Sequence, residues 1–570
     1  MAYHAPVTDL RFLLDHVVGF GEVAKTELFA DASPETVDAI LQGAGKLCEE
    51  VLAPLNRAAD LQGAKLENGK VRATPGFAEA YAQIAEGGWV ALASSPEYGG
   101  MGLPITLASC VNDMMGAACL ALQLNPLLTQ GQIEALEHHA SQELRDLYLP
   151  KLISGEWSGT MNLTEPEAGS DVGALRSTAK PNGDGTYAVS GQKIFISWGD
   201  CDFVENVCHL VLARLPDGAP GTRGISLFIV PKFIPDADGK PGVANSLRVV
   251  SLEHKMGLHG SPTAVMQYDG ATGWLIGEPH KGLAAMFTMM NNARLGVGIQ
   301  GVAAADGAYQ HALAYAQERK QGKPIAGDTG AIIDHPDVRR MLANMKAELF
   351  AARAISLANA VAIDMARATN DAEWQARAAL LTPISKAYGT DTGINVAQTG
   401  IQIHGGMGFI EETGAAQYLR DVRVTAIYEG TNGIQAADLV GRKMMDNGDA
   451  AYRLLQEVQD GAEAARAQLP DLAGELWSAA ETLREGTEAL IAQSMVDRLA
   501  GSVAYLRAFA LVLGAHFHLR AAVAEGGAGP RSSLARVYLR RQLPQYAALL
   551  AEVRDGAESL YALSPEDLAV

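Results

Sequence analysis

The chain has 570 residues, too many for one hydrophobic core, so several domains are expected. Hydrophobic residues make up 48% and charged residues 19%, the balance of a soluble protein with large cores; aromatics are only 6%, which favours Ala- and Leu-rich helix over sheet. The formal net charge of −20 argues against sequence-independent nucleic-acid binding, which needs a basic surface.

Cys48, Cys110, Cys119, Cys201 and Cys208 are odd in number and form no C-x-x-C pair. Neither a disulfide framework nor a zinc site is expected, and they read as small buried hydrophobes in a reducing compartment. The histidines show no metal spacing, so no metal is expected. Asp9, Arg11, Asp15 and His16 interrupt the apolar run that a signal peptide needs. No charge-free run reaches ~18 apolar residues, so no membrane span is expected and the cytoplasm is the expected location.

Residues 1–160 read mainly as helix. Val37, Ile40 and Leu41, then Ala44, Leu47 and Cys48, recur at three- and four-residue steps. Ser33 before Pro34-Glu35 marks a helix start with proline in first position. The texture turns to β over 161–280. Asn182-Gly183-Asp184-Gly185 predicts a hairpin turn, with further strands over 204–215 and 225–230. This predicts a compact antiparallel β domain between helical blocks. Helix returns over 281–448, where Leu283, Met286, Phe287 and Met290 share a face and helices are expected over 311–320 and 338–368. Asp446-Asn447-Gly448-Asp449 opens a final block, 449–570, read as a separate helical appendage. There Leu472, Leu476, Ala479, Leu483 and Leu490 keep helix spacing, and Ser532-Ser533 is a candidate helix cap.

Leu163-Thr164-Glu165-Pro166-Glu167-Ala168-Gly169-Ser170-Asp171 lies between strand-like segments. Such a loop can point hydroxyls and backbone N–H groups at an anionic, hydrogen-bonding ligand. Phe195-Ile196-Ser197 adds an aromatic face and another hydroxyl. Ile427-Tyr428-Glu429-Gly430-Thr431-Asn432-Gly433 sets a carboxylate in a break between helices. Tyr98-Gly99-Gly100-Met101-Gly102, Glu253-His254-Lys255-Met256-Gly257, Gln317-Glu318-Arg319-Lys320-Gln321-Gly322 and Gln402-Ile403-His404-Gly405-Gly406-Met407-Gly408 complete an ordered series. Over residues 35–445 this series resembles the acyl-CoA dehydrogenases.

The resemblance implies a mostly α fold with a central antiparallel β domain: an α domain, a β domain and an α bundle, here with a C-terminal helical domain. It also implies FAD as cofactor and a homodimer, with a tetramer as the alternative. The positions matching Met161, Leu163, Thr164, Phe195 and Ser197 contact the isoalloxazine. Phe195 stands where Trp is more frequent, so a stacking face is kept and an indole N–H lost; Ser197 stands where Thr is more frequent. Arg319, Gln402, Gly405, Gly406 and Thr431 match further cofactor contacts. Gly433 stands where Gln is frequent, a contact Gln435 can supply. Ser170, Arg294, Tyr428 and Gly430 match substrate-binding positions, and Glu429 matches the catalytic base. Burial by the acyl chain raises the pKa of such a base and strengthens it. Some members carry the base immediately before the arginine; Ala293 stands there in this chain.

The implied reaction is dehydrogenation of an acyl-CoA to the trans-2-enoyl-CoA, with hydride passing to flavin N5 and electrons onward to an electron-transfer flavoprotein. Ala5-Pro6-Val7-Thr8-Asp9-Leu10-Arg11-Phe12 and the C-terminal block resemble the bacterial subgroup that includes 3-methylmercaptopropionyl-CoA dehydrogenases, which implies a place in dimethylsulfoniopropionate catabolism. Another short- or medium-chain acyl-CoA fits the same expectation. The alternatives are a long-chain fatty-acyl-CoA dehydrogenase, an acyl-CoA oxidase and a non-catalytic acyl-CoA-binding protein; Glu429 and the flavin loop oppose the last. Gly296-Val297-Gly298-Ile299-Gln300-Gly301 matches a dinucleotide fingerprint. It follows a helical pattern rather than a strand, so its glycines are read as helix-packing positions.

Overall fold

The computed structural model describes residues 3–569, grouped by contacts into two units: residues 43–293, and residues 3–42 with 294–569. In the first unit, the helix Ile105–His139 accompanies a seven-stranded sheet. The helix Pro34–Leu47 starts as expected, with Ser33 Oγ accepting from the Thr36 N–H at 3.2 Å. A hairpin pairs Lys65–Glu67 with Lys70–Arg72 inside the block read as helical. Its Asn68-Gly69 corner, with both residues at positive φ, is the signal that reading passed over.

The sheet is mixed, which corrects the antiparallel expectation. Trp157–Asn162 runs parallel to Asn206–Arg214, with Met161 opposite Leu210, while Tyr187–Ser197 pairs antiparallel with both Thr178–Pro181 and Thr263–Ile276. A parallel pair needs a long crossover, and residues 163–205, with two strands of their own, supply it. Alternation in a sequence reports which face is buried and carries no information on strand direction. Ile225–Pro231 pairs on both sides, with Asn206–Arg214 and with the end of Thr263–Ile276. Val189, Val211, Phe228, Val230, Met266 and Tyr268 fill the core beneath. The Asn182–Gly185 turn forms as expected: Asn182 N–H donates to the Thr186 carbonyl at 2.9 Å.

The fingerprint-like glycines, in the second unit, lie inside one helix, Gly282–Glu318, which belongs to that unit from residue 294 on and which the sequence reading had divided. It packs against the helix Ala372–His404 with backbones nearly touching. A Cβ on Gly298 would stand 2.7 Å from the Ser385 carbonyl oxygen, and one on Gly301 2.3 Å from that of Gly389. Burial on several sides is why no single apolar stripe marked the whole helix.

The C-terminal block begins at the helix Asp449–Ala465, and Leu472, Leu476, Ala479, Leu483 and Leu490 are fully buried. It packs closely on the rest of its unit. Its helix Ser502–Ala524 packs on the helices Pro336–Thr369 and Asn432–Val440, and Tyr538 shares a 3.0 Å hydrogen bond with Tyr388. Ser532 and Ser533 are not the cap of the helix Pro530–Arg541: they lie inside its first turn. The Glu525 carboxylate accepts there from the N–H groups of Arg531 (2.9 Å) and Ser532 (3.0 Å), an anion neutralising the helix start. The N-terminal segment joins the same unit through Asp9, 2.8 Å from Arg531, whose guanidinium lies 3.7 Å from the centre of the Phe12 ring.

Ile105–His139, Pro336–Thr369 and Ser502–Ala524 are long and apolar enough to cross a membrane, a length and hydropathy the sequence reading did not anticipate. At least 89% of each apolar window is buried within the protein. All five cysteines are buried without disulfides, as small hydrophobes.

Candidate active site

Glu429 sits in a turn held from three directions. The turn joins the short helical segment Arg423–Ala426 to the helix Asn432–Val440, whose first turn Thr431 caps by accepting from the Ile434 N–H at 3.2 Å. Glu429 has φ +55° and Gly430 φ +82°. Left-handed backbone costs a residue with a Cβ about 1–2 kcal/mol, so this glutamate is kept in place by its surroundings. Gln435, fully buried, donates from Nε2 to the carbonyls of Glu429 and Gly430, each at 3.4 Å. A Cβ on Gly430 would stand 2.8 Å from that same nitrogen, which makes glycine the fitting residue. Tyr428 donates its hydroxyl to Gln300. The N–H groups of Glu429, Gly430 and Thr431 make no hydrogen bond among the described residues.

Burial pushes the Glu429 carboxyl up to about 7, against the pull of Arg294 and Lys386. Arg294 is 6% exposed, with its Nη1 3.7 Å from Asp438 Oδ2. Lys386 is fully buried on the helix Ala372–His404 and donates to Asn432 Oδ1 at 2.9 Å. Burial brings the Lys386 ammonium down to about 8, with Glu429 and Asp391 acting to hold it up.

In the other unit, Met161, Leu163 and Thr164 are half-buried where the strand Trp157–Asn162 gives way to the polar loop. A buried ion pair clamps that loop. Lys193 Nζ donates to Glu165 Oε1 at 2.7 Å and to the Leu163 carbonyl at 3.0 Å. Glu165 also accepts from the N–H groups of Arg176 (2.6 Å) and Ser177 (3.2 Å). Burial acts to raise the Glu165 carboxyl, but Lys193 and these donors hold it below the usual carboxylate range. Phe195 has φ +61° and its ring is 59% exposed, while its neighbour Trp198 is buried and donates Nε1 to the Ala121 carbonyl at 3.2 Å. Ser197 stands opposite Thr263 in the sheet, and Ser170 is exposed on the loop.

Arg319 and Gln402 are exposed. Tyr315, one turn before Arg319, stacks on His404 at 4.3 Å between ring centres, which sets the end of the helix Gly282–Glu318 beside the Gly405-Gly406 turn. Open space surrounds both glycines, and Gly405 has φ +60°.

The structure thus assembles Arg294, Tyr428, Glu429, Gly430 and Thr431 around one turn. It gathers Met161, Leu163, Thr164, Ser170, Phe195 and Ser197 on one loop and strand edge, and puts Arg319, Gln402, Gly405 and Gly406 at the helix ends near His404. Gln435 gives its Nε2 to the Glu429 turn. Lys386, Asn432, Lys193 and Glu165 were missed as site residues. A lone lysine in the otherwise uncharged stretch 378–390 was the available signal for Lys386.

Four family models match in chain order: Acyl-CoA dehydrogenase, N-terminal domain, over 34–156; middle domain over 160–271; C-terminal domain over 280–445; and Acetyl-CoA dehydrogenase C-terminal like over 454–564. This chain belongs to the acyl-CoA dehydrogenase family. The acyl-CoA dehydrogenase is 45% identical to the 3-methylmercaptopropionyl-CoA dehydrogenase of Ruegeria pomeroyi, over 89% of this chain and 88% of that one. It is 36% identical to a butyryl-CoA dehydrogenase of Syntrophomonas wolfei, over 82% and 80%. Among solved structures it shares the fold of a Bacillus anthracis acyl-CoA dehydrogenase complexed with FAD, with a TM-score of 0.75, 20% identity, and coverage of 100% of this chain and 94% of that one.

Acyl-CoA dehydrogenases depend on FAD, and the residues present suit it. The exposed Phe195 ring offers a stacking face, Thr164 and Ser197 offer hydroxyls, and the open Gly405-Gly406 backbone beside Arg319 suits a phosphate.

Proposed function

We propose that this acyl-CoA dehydrogenase oxidises 3-methylmercaptopropionyl-CoA, or another short- or medium-chain acyl-CoA, to the trans-2-enoyl thioester with Glu429 as base. The observation that carries the base assignment is the Glu429 carboxyl, raised to about 7 on a strained turn between Arg294 and Lys386. A carboxylate with that pKa is matched to taking an α-proton near neutral pH. The 45% identity over most of both chains supports the thioether substrate.

In this reading bound FAD supplies the acceptor for the β-hydride. Glu429 takes the α-proton onto its carboxylate. The unused N–H groups at Glu429, Gly430 and Thr431 are available to a thioester oxygen, which gains negative charge as the proton leaves. Thr164, Phe195 and Ser197 hold the isoalloxazine; Arg319, Gln402, Gly405 and Gly406 hold the phosphate and adenine portion, with Thr431 as a further contact. Ser170 and Arg294 bind the CoA thioester. The further proposals are an electron-transfer flavoprotein as acceptor, a homodimer and a cytoplasmic location.

Anaerobic titration of the flavin-loaded protein with 3-methylmercaptopropionyl-, butyryl- and palmitoyl-CoA tests the substrate. Preferential bleaching of the flavin band by the thioether is expected; preference for palmitoyl-CoA would move the enzyme to long-chain oxidation. Fast reoxidation of the reduced protein by O₂ would mark an oxidase. Glu429→Gln is expected to keep FAD and lose bleaching rate by about 10²–10⁴-fold.

A further inference from the structure

Asn432, the first residue of the helix after Glu429, fastens the catalytic turn to the helix Ala372–His404. Its Oδ1 accepts from Lys386 Nζ (2.9 Å) and Thr390 Oγ1 (3.2 Å), and its Nδ2 donates to Asp391 Oδ1 (2.7 Å) and the Ala387 carbonyl (3.3 Å). The partner that matters is Lys386, which has no exposed surface. Among the described residues it forms no ion pair within 4 Å. A buried ammonium held by a neutral amide is costly, and an apolar side chain of similar volume would serve packing better. Its charge therefore calls for a use.

The charged groups that face Lys386 are Glu429 on the catalytic turn, Asp391 one turn along its own helix, and Arg294 from the helix Gly282–Glu318. Those that face Glu429 are Arg294 and Lys386. Asp391 is in turn faced by Arg423 and Arg507. Arg294 is already engaged with Asp438 at 3.7 Å, with Arg442 on the other oxygen at 2.5 Å.

We propose that Lys386, held by Asn432 at the start of the helix that follows Glu429, is a positioning residue that sets a buried cation beside the Glu429 turn. The inference rests on Glu429 being the base. The sign follows from charge: a cation near a carboxylate favours the ionised form, so removing the ammonium makes Glu429 harder to ionise and leaves it protonated at neutral pH.

The test is the pH dependence of flavin reduction by butyryl-CoA, measured anaerobically by stopped flow on the FAD-loaded protein and its variants. For Lys386→Met the acid limb is expected to move up by about one pH unit or more, with the rate recovering toward wild type above that limb. Lys386→Arg is expected to return the limb toward its original position. A merely structural lysine would lower rate or FAD content and leave the limb where it was. An unmoved limb in a variant with full FAD content overturns the proposal. If Lys386→Met loses FAD, Lys386→Gln, similar in length and polarity but uncharged, carries the same measurement; loss of FAD by both assigns Lys386 to structure and also overturns it. Glu429→Gln separates the two claims. If it still reduces flavin, the base assignment fails; if it is inactive while the lysine variants keep the wild-type limb, only this proposal fails.

Discussion

Glu429 at φ +55° and Phe195 at φ +61° are among the non-glycine residues held in left-handed backbone, with Trp198, Leu258 and His280. Glu429 and Phe195 belong to motifs read as functional, which is where strain is expected to persist. For Phe195 the consequence can be measured. The ring is mostly exposed, so its removal loses little burial. Phe195→Gly relieves about 1–2 kcal/mol of left-handed strain, against about 0.5–1 kcal/mol of added chain entropy. In denaturant titrations of the FAD-free protein the variant is expected to match wild type or exceed it by up to about 1 kcal/mol, while retaining FAD less well. A loss of more than 1 kcal/mol would show that the ring packs where the structure leaves it exposed. At this scale the sequence was readable where a local feature is built from contiguous residues, as in the Tyr428-Glu429-Gly430-Thr431 turn. It was unreadable where partners come from distant segments. Nothing near Leu163 announces that Lys193 clamps it, and nothing near Glu429 announces Lys386, since both lysines lie in segments whose patterns describe packing.

Among the elements, the helices Gly282–Glu318 and Ala372–His404 carry Arg294 and Lys386, and their mutual spacing is set by glycine. Gly301→Ala would drive a methyl to 2.3 Å from the Gly389 carbonyl oxygen, an obstruction by rigid backbone. Overpacking of that kind costs about 1–3 kcal/mol. The variant is expected to lose stability in that range in urea unfolding and also to slow flavin reduction, because separating the helices shifts both cations that face Glu429. A stability loss with an unchanged reduction rate would mean that the site tolerates the separation. Helix existence was legible from periodicity, and the glycine fingerprint was correctly read as packing. Two features were not legible. Strand direction in the sheet leaves no mark on alternation, and the continuity of Gly282–Glu318 was hidden because burial around the helix erases the stripe that defines one.

For the whole molecule, stability should fall with acid. Burial brings His209 down to about 3, and His311, His516 and His518 to about 4. Below about pH 6.5 the unfolded chain protonates these groups while the folded one does not, so unfolding takes up protons and acid favours it. Glu348, Asp391 and Glu429 act in the opposite sense. Their raised folded pKa values make the folded chain hold protons that the unfolded chain releases, which is stability lost as pH rises. The lowered histidines outnumber these carboxyls, leaving a net uptake of protons on unfolding as pH falls below about 6.5. Urea midpoints measured from pH 7.5 down to 5 are expected to decline; a flat or rising series would contradict the buried neutral state of these histidines.

The tie between Asp9 and Arg531 spans 522 positions of sequence. At a synthesis rate of about 5–20 residues per second, Asp9 leaves the ribosome about 25–100 s before its partner exists. For that interval Phe12 lacks the guanidinium that lies over its ring, while the helix Phe20–Ala24 can already pack on Pro336–Thr369, so this segment is secured in two stages. Fragments ending before the Pro530–Arg541 helix would leave Phe12 without that cover, an apolar ring open to a chaperone that holds nascent apolar segments.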